Sequence, residues 1–129
     1  MTLEIAAFTA PRDTVRQLAG IDVPSGQPLE LLEVLIDEVD TATWVRFRFL
    51  APQIARETGT VSFDAAQADF EALCEHIALP YLQDYALAPD LVSVTLLDRV
   101  VAFGTTDQNA TQFVEVFRIQ DGACVWEGL

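Results

Sequence analysis

Cys74 and Cys124 are the only cysteines of the chain, and His76 is its only histidine. A thiol beside an imidazole would be a nucleophile, because the base stabilises the attacking thiolate. Here the helical stretch that carries Cys74 sends His76 out from the side away from Phe70, so no thiol–imidazole pair is implied. The cysteines are left with two chemistries: one disulfide, or two separate buried thiols. A disulfide matures in an oxidising space, whereas free buried thiols belong to an ordinary cytosolic core. Bonding residues this far apart would contribute roughly 3–4 kcal/mol by restricting the unfolded chain.

A lone imidazole can also serve as a general base or a metal ligand. His76 lacks a second histidine and any ligand spacing, and Pro80 stands four positions on, so a solvated surface role is expected. Asp64, Glu71 and Glu75 fall within about 40° of one another on the same helical stretch and lack basic partners on it. Calcium would want a loop that supplies many oxygens, so these carboxylates read as a solvated acidic face. No metal site and no cofactor motif is expected. Asn109, Ala110 and Thr111 spell a glycosylation sequon, a pattern short enough to arise by chance.

The most suggestive surface is Trp44, Arg46 and Arg48, which alternate along one strand-like run. An aromatic ring flanked by guanidinium groups is a candidate patch for an anionic or protein partner. Glu33 and Asp37 lie across the hairpin and would neutralise both arginines.

Seven basic residues, all arginine, stand against twenty acidic ones, for a formal charge of −13. Such a surface repels phosphate backbones and anionic headgroups, so neither nucleic-acid binding nor membrane insertion is expected. The longest apolar runs fall far short of the roughly 20 residues needed to cross a bilayer. With 51 % hydrophobic residues the chain is globular, and its length suits one domain. Glu4 stands where a signal peptide would be basic, and residues 3–8 are too short and interrupted for its apolar region, so no export signal is read here.

The side chains above must be positioned by elements legible in the pattern. Residues 11–19 suggest a short, peripheral helix within an N-terminal segment 1–22, and the turn-rich Val23, Pro24, Ser25, Gly26 opens a single domain over 23–129. Two strands follow over 31–38 and 43–50. Pairing Val39 with Ala42 sets Leu32, Val34 and Ile36 opposite Phe49, Phe47 and Val45, which makes one face apolar. The other face pairs Glu33 with Arg48, Leu35 with Arg46 and Asp37 with Trp44. Pro52 would open a short helical turn that Gly59 breaks.

Phe63, Ala66, Phe70, Leu73 and Ile77 recur at helical spacing, with Ser62 as N-cap, and predict a main helix over 63–78. Pro80 should end or kink it, with a further turn over 81–86. Strands are predicted over 92–97 and 100–103, then a polar loop over 104–110 and a last hairpin of 112–119 with 123–127 around Asp121 and Gly122. In that hairpin Phe113, Phe117, Ile119, Cys124 and Trp126 share the core-facing side. The expected fold is α+β: an antiparallel sheet of five or six strands with one long helix packed on its apolar face. Cys74 and Cys124 then both project toward the helix–sheet interface, which allows a bond without requiring one.

Val23 to Gly26, Arg46, Phe47, Arg48 and Phe49, Leu79 with Pro80, the run 110–113, and the closing Cys124, Val125, Trp126, Glu127, Gly128 resemble an uncharacterised family of small bacterial proteins. The likeness covers roughly residues 21–129. It implies an exported protein of unknown function, and export would favour the Cys74–Cys124 disulfide. Some members carry an acetolactate synthase label, which does not suit a chain too short for a thiamine diphosphate domain. Residues 1–20 depart from the resemblance, since they do not look like a signal peptide.

Three functional readings follow. The first is a non-catalytic periplasmic or secreted module that binds a protein or peptide. A cytosolic acidic chaperone or adaptor, acting as a homodimer, is the second. The third is an enzyme of unidentified class that uses scattered carboxylates with Arg46 or Arg48.

Overall fold

The computed structural model describes residues 4–8 and 21–128. Strand β2 (Glu30–Val39) turns at Asp40 and Thr41, both at positive φ, into β3 (Ala42–Leu50), and Val39 pairs with Ala42 as the alternation predicts. From Glu33 with Arg48 to Asp37 with Trp44 the register is the expected one. It slips at the far end, where a bulge between Leu31 and Glu33 sets Leu31 opposite Phe49 and leaves Leu32 as the extra residue. Leu31 is accordingly the buried member of the two.

After β3 the chain passes a 3₁₀ turn (Pro52–Ile54) and a tight loop, then enters helix α1 (Phe63–Leu73). Ser62 caps it, its hydroxyl accepting a hydrogen bond from the Ala65 N–H at 3.2 Å. Gly59 closes the loop, donating its N–H to Ala55 O at 2.8 Å. A Cβ at Gly59 would fall on the carbonyl oxygens of Gln53 and Ala55. Since backbone cannot swing aside as a side chain does, Gly59→Ala is expected to cost about 1–3 kcal/mol in a urea unfolding series.

Pro80 does not end the helix. The helix widens into a π turn over Cys74–Ala78, where Leu79 donates to Cys74 O, and then resumes as α2 (Leu79–Asp84). The wider turn suits a proline, which has no N–H to give and whose ring would clash with the carbonyl four residues back. Ala66, Phe70, Leu73, Cys74 and Ile77 are buried along this helix, while Phe63, at the end of the stripe, remains 40 % exposed with its ring against Phe113.

Strand β4 (Leu91–Leu97) pairs with β3 in parallel, which corrects the expectation of an all-antiparallel sheet. The reason lies in the connection: the helices between β3 and β4 carry the chain back to the end at which β3 began. Val92 to Leu97 are all buried, so both faces of β4 are covered. The expected strand over 100–103 is loop instead. Both edges of β4 are already taken, by β3 and by β5 (Gln112–Gln120), so no ladder is left for that segment to join. Asp107, Asn109 and Thr111 lie in the remainder of this loop.

The last hairpin joins β5 to β6 (Ala123–Trp126) through Asp121 and Gly122, both at positive φ, with Ile119 opposite Cys124 and Phe117 opposite Trp126. Trp126 lies on the expected, helix-facing side, where it borders a shallow depression with Phe70 and Phe117, but at the sheet edge it remains 65 % exposed. Its indole N–H donates to Glu115. At the opposite edge β1 (Glu4–Phe8) pairs with β2, giving six strands in the order β1-β2-β3-β4-β5-β6. The helix expected over 11–19 lies outside the described residues. The architecture is α+β, and one buried cluster draws Val45, Phe47, Val94 and Phe117 from the sheet together with Phe70, Leu73, Ile77 and Tyr81 from the helix.

Cys74 and Cys124 are joined in a disulfide, their Cα atoms 6.3 Å apart. Cys74 is fully buried and Cys124 half-buried. The bond ties the π turn to the edge strand β6.

Candidate functional site

Strand alternation does put Trp44, Arg46 and Arg48 on one face, but the loop after β4 folds over it. Arg46 donates to Asp37 through Nε at 2.7 Å and Nη2 at 3.2 Å, and its guanidinium lies 4.4 Å from the Trp44 ring and 5.2 Å from Phe103. Arg48 is buried: it pairs with Glu33 at 3.3 Å, donates to Val101 O at 2.6 Å, and also faces Phe103. The predicted neutralisation by Asp37 and Glu33 is therefore present. The expectation of an outward-facing patch needs correcting, since Arg48 cannot reach a partner in this state. The Arg48 hydrogen bond to Val101 O and the cation–π contacts of Phe103 with both guanidinium groups hold the loop to the sheet.

Asp69 escaped the sequence reading. It lies one residue before Phe70 on α1 and is fully buried with no cationic partner among the described residues. Its carboxylate accepts from Ser25 N–H at 2.9 Å, Ser25 Oγ at 2.5 Å and Gln27 Nε2 at 2.8 Å. A buried carboxylate is tolerable only with such a set of donors. The Ser25–Gly26–Gln27 turn, with Gly26 at φ 76°, is thereby pinned against the helix.

A cleft of about 880 Å³ lies between the loop that precedes α1 and the loop that follows β4. Ile54, Val61, Val101 and Phe113 give it apolar walls; Thr60, Ser62, Thr105, Thr106 and Thr111 contribute hydroxyls, and Arg56 and Asp107 the charges. Arg56 Nη2 donates to Gln108 O at 2.8 Å and to Ala110 O at 3.4 Å, so it holds the two loops together. Thr111 is nearly buried, and its Oγ1 has no hydrogen-bond partner.

Asp98 fixes the base of the second loop. Its Oδ1 accepts from Thr111 N–H at 2.7 Å, its own N–H donates to Thr111 O, and its Oδ2 accepts from Arg99. Burial pushes the Asp98 carboxyl up, but the bonds from Arg99 and from Thr111 outweigh it and hold the group below the ordinary carboxylate range. A depressed folded-state value means that the stabilisation is complete above the unfolded value, about pH 4, and is lost as pH falls through the lower, folded one. Urea midpoints of the protein and of Asp98→Asn should thus differ at neutral pH and converge on acidification. A gap that stays constant down to the acid limit would show that Asp98 carries no such linkage.

The other candidates are dispersed. His76 is exposed and lies beside Ile21 and Asp22, away from the cleft. Asp64, Glu71 and Glu75 are exposed on the helix. Asn109 of the sequon is exposed in a turn where its N–H donates to Asp107 Oδ1 at 2.9 Å. Among the described residues no three His, Cys, Asp or Glu side chains are grouped so as to hold a metal ion, and no helix is long and apolar enough to cross a membrane.

One protein-family model matches the chain, over residues 4–129, and its description is a family of unknown function, DUF6497. No curated protein and no solved structure matches it.

Proposed function

We propose, from the premise that the chain belongs to DUF6497, a family of unknown function, that it is a non-catalytic periplasmic or secreted module that binds a protein or peptide. The observation that carries the reading is the cleft, whose size and mixture of apolar walls with a few polar groups suit a peptide segment better than an open surface would. The Cys74–Cys124 bond supports a place outside the reducing cytosol. In this reading the long helix packs on the apolar face of the sheet as a brace, and the loops over the other end carry recognition.

Two measurements test it. Protein isolated from its native host under thiol-trapping conditions should contain no free thiol, and its intact mass should rise by two hydrogens on reduction. Titrating the isotopically labelled chain with a pool of short peptides should move amide resonances of segments 54–62 and 101–113. Two trapped thiols would remove the compartment, and shifts confined to other segments would remove the site.

The homodimeric chaperone or adaptor is favoured by a separate observation. Strand β6 is an edge, and Val114, Val125 and Trp126 expose 41 %, 42 % and 65 % of their surface around it. Unpaired backbone beside exposed apolar groups invites a second strand. Equilibrium sedimentation decides: a monomer at the highest soluble concentration dismisses this alternative.

A further inference from the structure

We propose that the depression between helix α1 and the β5–β6 edge receives one cationic side chain, arginine or lysine, of a basic peptide that lies along β6 as an added strand. The site is distinct from the cleft and does not depend on it.

Gln67, Phe70 and Glu71 of α1, Glu115 and Phe117 of β5, and Trp126 of β6 line this depression of about 190 Å³. Small-molecule sites begin at roughly 300 Å³, so the space suits a single side chain, and it is small enough that its lining residues face one occupant. Phe70 and Phe117 are buried there, which leaves Trp126 as the exposed ring. Trp126 is exposed but not loose. Its indole N–H donates to Glu115, and its six-membered ring lies beside Gly128, where a Cβ would stand 3.4 Å from two ring carbons. A wide aromatic surface already held in one pose makes a strong interface anchor, because binding does not have to order it.

The charge of the occupant follows from its surroundings. Among the described residues Glu71 and Glu115 have no cationic partner. Arg46, Arg48, Arg99 and Arg118 are paired with Asp37, Glu33, Asp98 and Glu127, and Arg56 is held by the carbonyls of Gln108 and Ala110. Glu115 accepts the Trp126 indole N–H, a neutral donor that leaves its charge uncancelled. A guanidinium or ammonium placed here meets two carboxylates and a tryptophan ring, the best cation–π partner among side chains. The chain's charge of −13 attracts such a group and repels an acidic one.

Strand β6 is the last of the sheet, and among the described residues no strand pairs with its outer edge. An added strand would gain main-chain hydrogen bonds there, and every second side chain of it would turn to the helix-facing side, where Trp126 and the depression lie. A second copy of this chain suits the edge less well, since two chains of charge −13 repel each other.

The test uses amidated acetyl-Thr-Val-Arg-Val-Thr and its versions with lysine, glutamate or citrulline, the uncharged isostere of arginine, at the central position. The labelled full chain is titrated with each, and the amides of Glu71, Val125 and Trp126 are followed with the Trp126 indole N–H. The arginine and lysine peptides should bind about ten-fold or more tightly than the citrulline peptide, and the glutamate peptide should not bind. Glu71→Gln with Glu115→Gln should abolish the preference while keeping an acceptor for the indole. Trp126→Ala should weaken the arginine peptide about ten-fold, and Trp126→Phe should recover part of that loss. Glu30→Gln with Glu38→Gln removes the same charge from β2 and should leave the preference in place. Well-dispersed spectra confirm that each variant is folded. Equal binding of the arginine and citrulline peptides, or a preference that survives in the Glu71→Gln, Glu115→Gln protein, overturns the inference. So do β6 shifts that appear on raising the protein concentration without peptide, which would assign the edge to a second copy. Shifts confined to 54–62 and 101–113 overturn it and leave the cleft reading intact.

Discussion

Replacing Cys74 and Cys124 together by alanine is expected to lower the unfolding free energy by about 4 kcal/mol. The bond closes a loop of 50 residues, and the gain comes mainly from the conformations it denies the unfolded chain. Its native-state consequence is local. Strand β6 has four residues, pairs only with β5, and carries exposed Val125 and Trp126, so it buries little apolar surface of its own. The disulfide is the covalent tie between that strand and the buried π turn. Without it, amides of β6 should lose hydrogen-exchange protection before the rest of the sheet. Urea denaturation of oxidised protein, reduced protein and the double variant measures the effect. A loss under about 1 kcal/mol, well below the loop-closure expectation, would mean that the unfolded chain already holds these segments close.

Asp69→Asn should cost about 2–4 kcal/mol, a large effect for exchanging one oxygen for an amide. The carboxylate accepts from Ser25 N–H, Ser25 Oγ and Gln27 Nε2 in a fully buried position. An amide presents one acceptor and two donors, so its NH₂ must face a group that is itself a donor. One or two of these groups are left unpaired, each at about 1–3 kcal/mol. Asp69→Asn should also free the Ser25–Gly26–Gln27 turn, visible as faster exchange at those amides. A nearly unchanged urea midpoint would show that Ser25 and Gln27 rearrange to satisfy the amide, and that the clasp is not structural.

These two sites differ in how far the sequence announces them. The helical spacing of Phe70, Leu73 and Ile77 puts Cys74 at the margin of the buried stripe, and the Asp121–Gly122 turn puts Cys124 opposite Ile119, so proximity of the two thiols is legible from local pattern. Asp69 is not, because a carboxylate on an amphipathic helix ordinarily faces water, and only its donors at Ser25 and Gln27, some forty residues earlier, make burial tolerable. Arg56 and Thr111 are hidden for the same reason. Arg56 sits in no motif and Thr111 only in the short sequon that Asn109 opens, and their relation arises where two loops meet, through Ala110 O and Asp98.

Alternation at intervals of two residues and the helical stripe already determine the β2–β3 and β5–β6 hairpins, the helix with its Ser62 cap, and the α+β class, since each follows from contacts between residues close along the chain. Contacts between distant segments decided the remainder. The parallel pairing of β3 with β4 depends on where the helical connection returns the chain, and the failure of residues 100–103 to form a strand on edges already occupied. Burial of Arg48 depends on a loop that closes over it through Val101 and Phe103. The cleft that carries the proposed function is of the same kind: its walls come from residues 54–62 and 101–113, segments far apart in the chain, and an unneutralised guanidinium can be recognised only after every long-range partner has been placed.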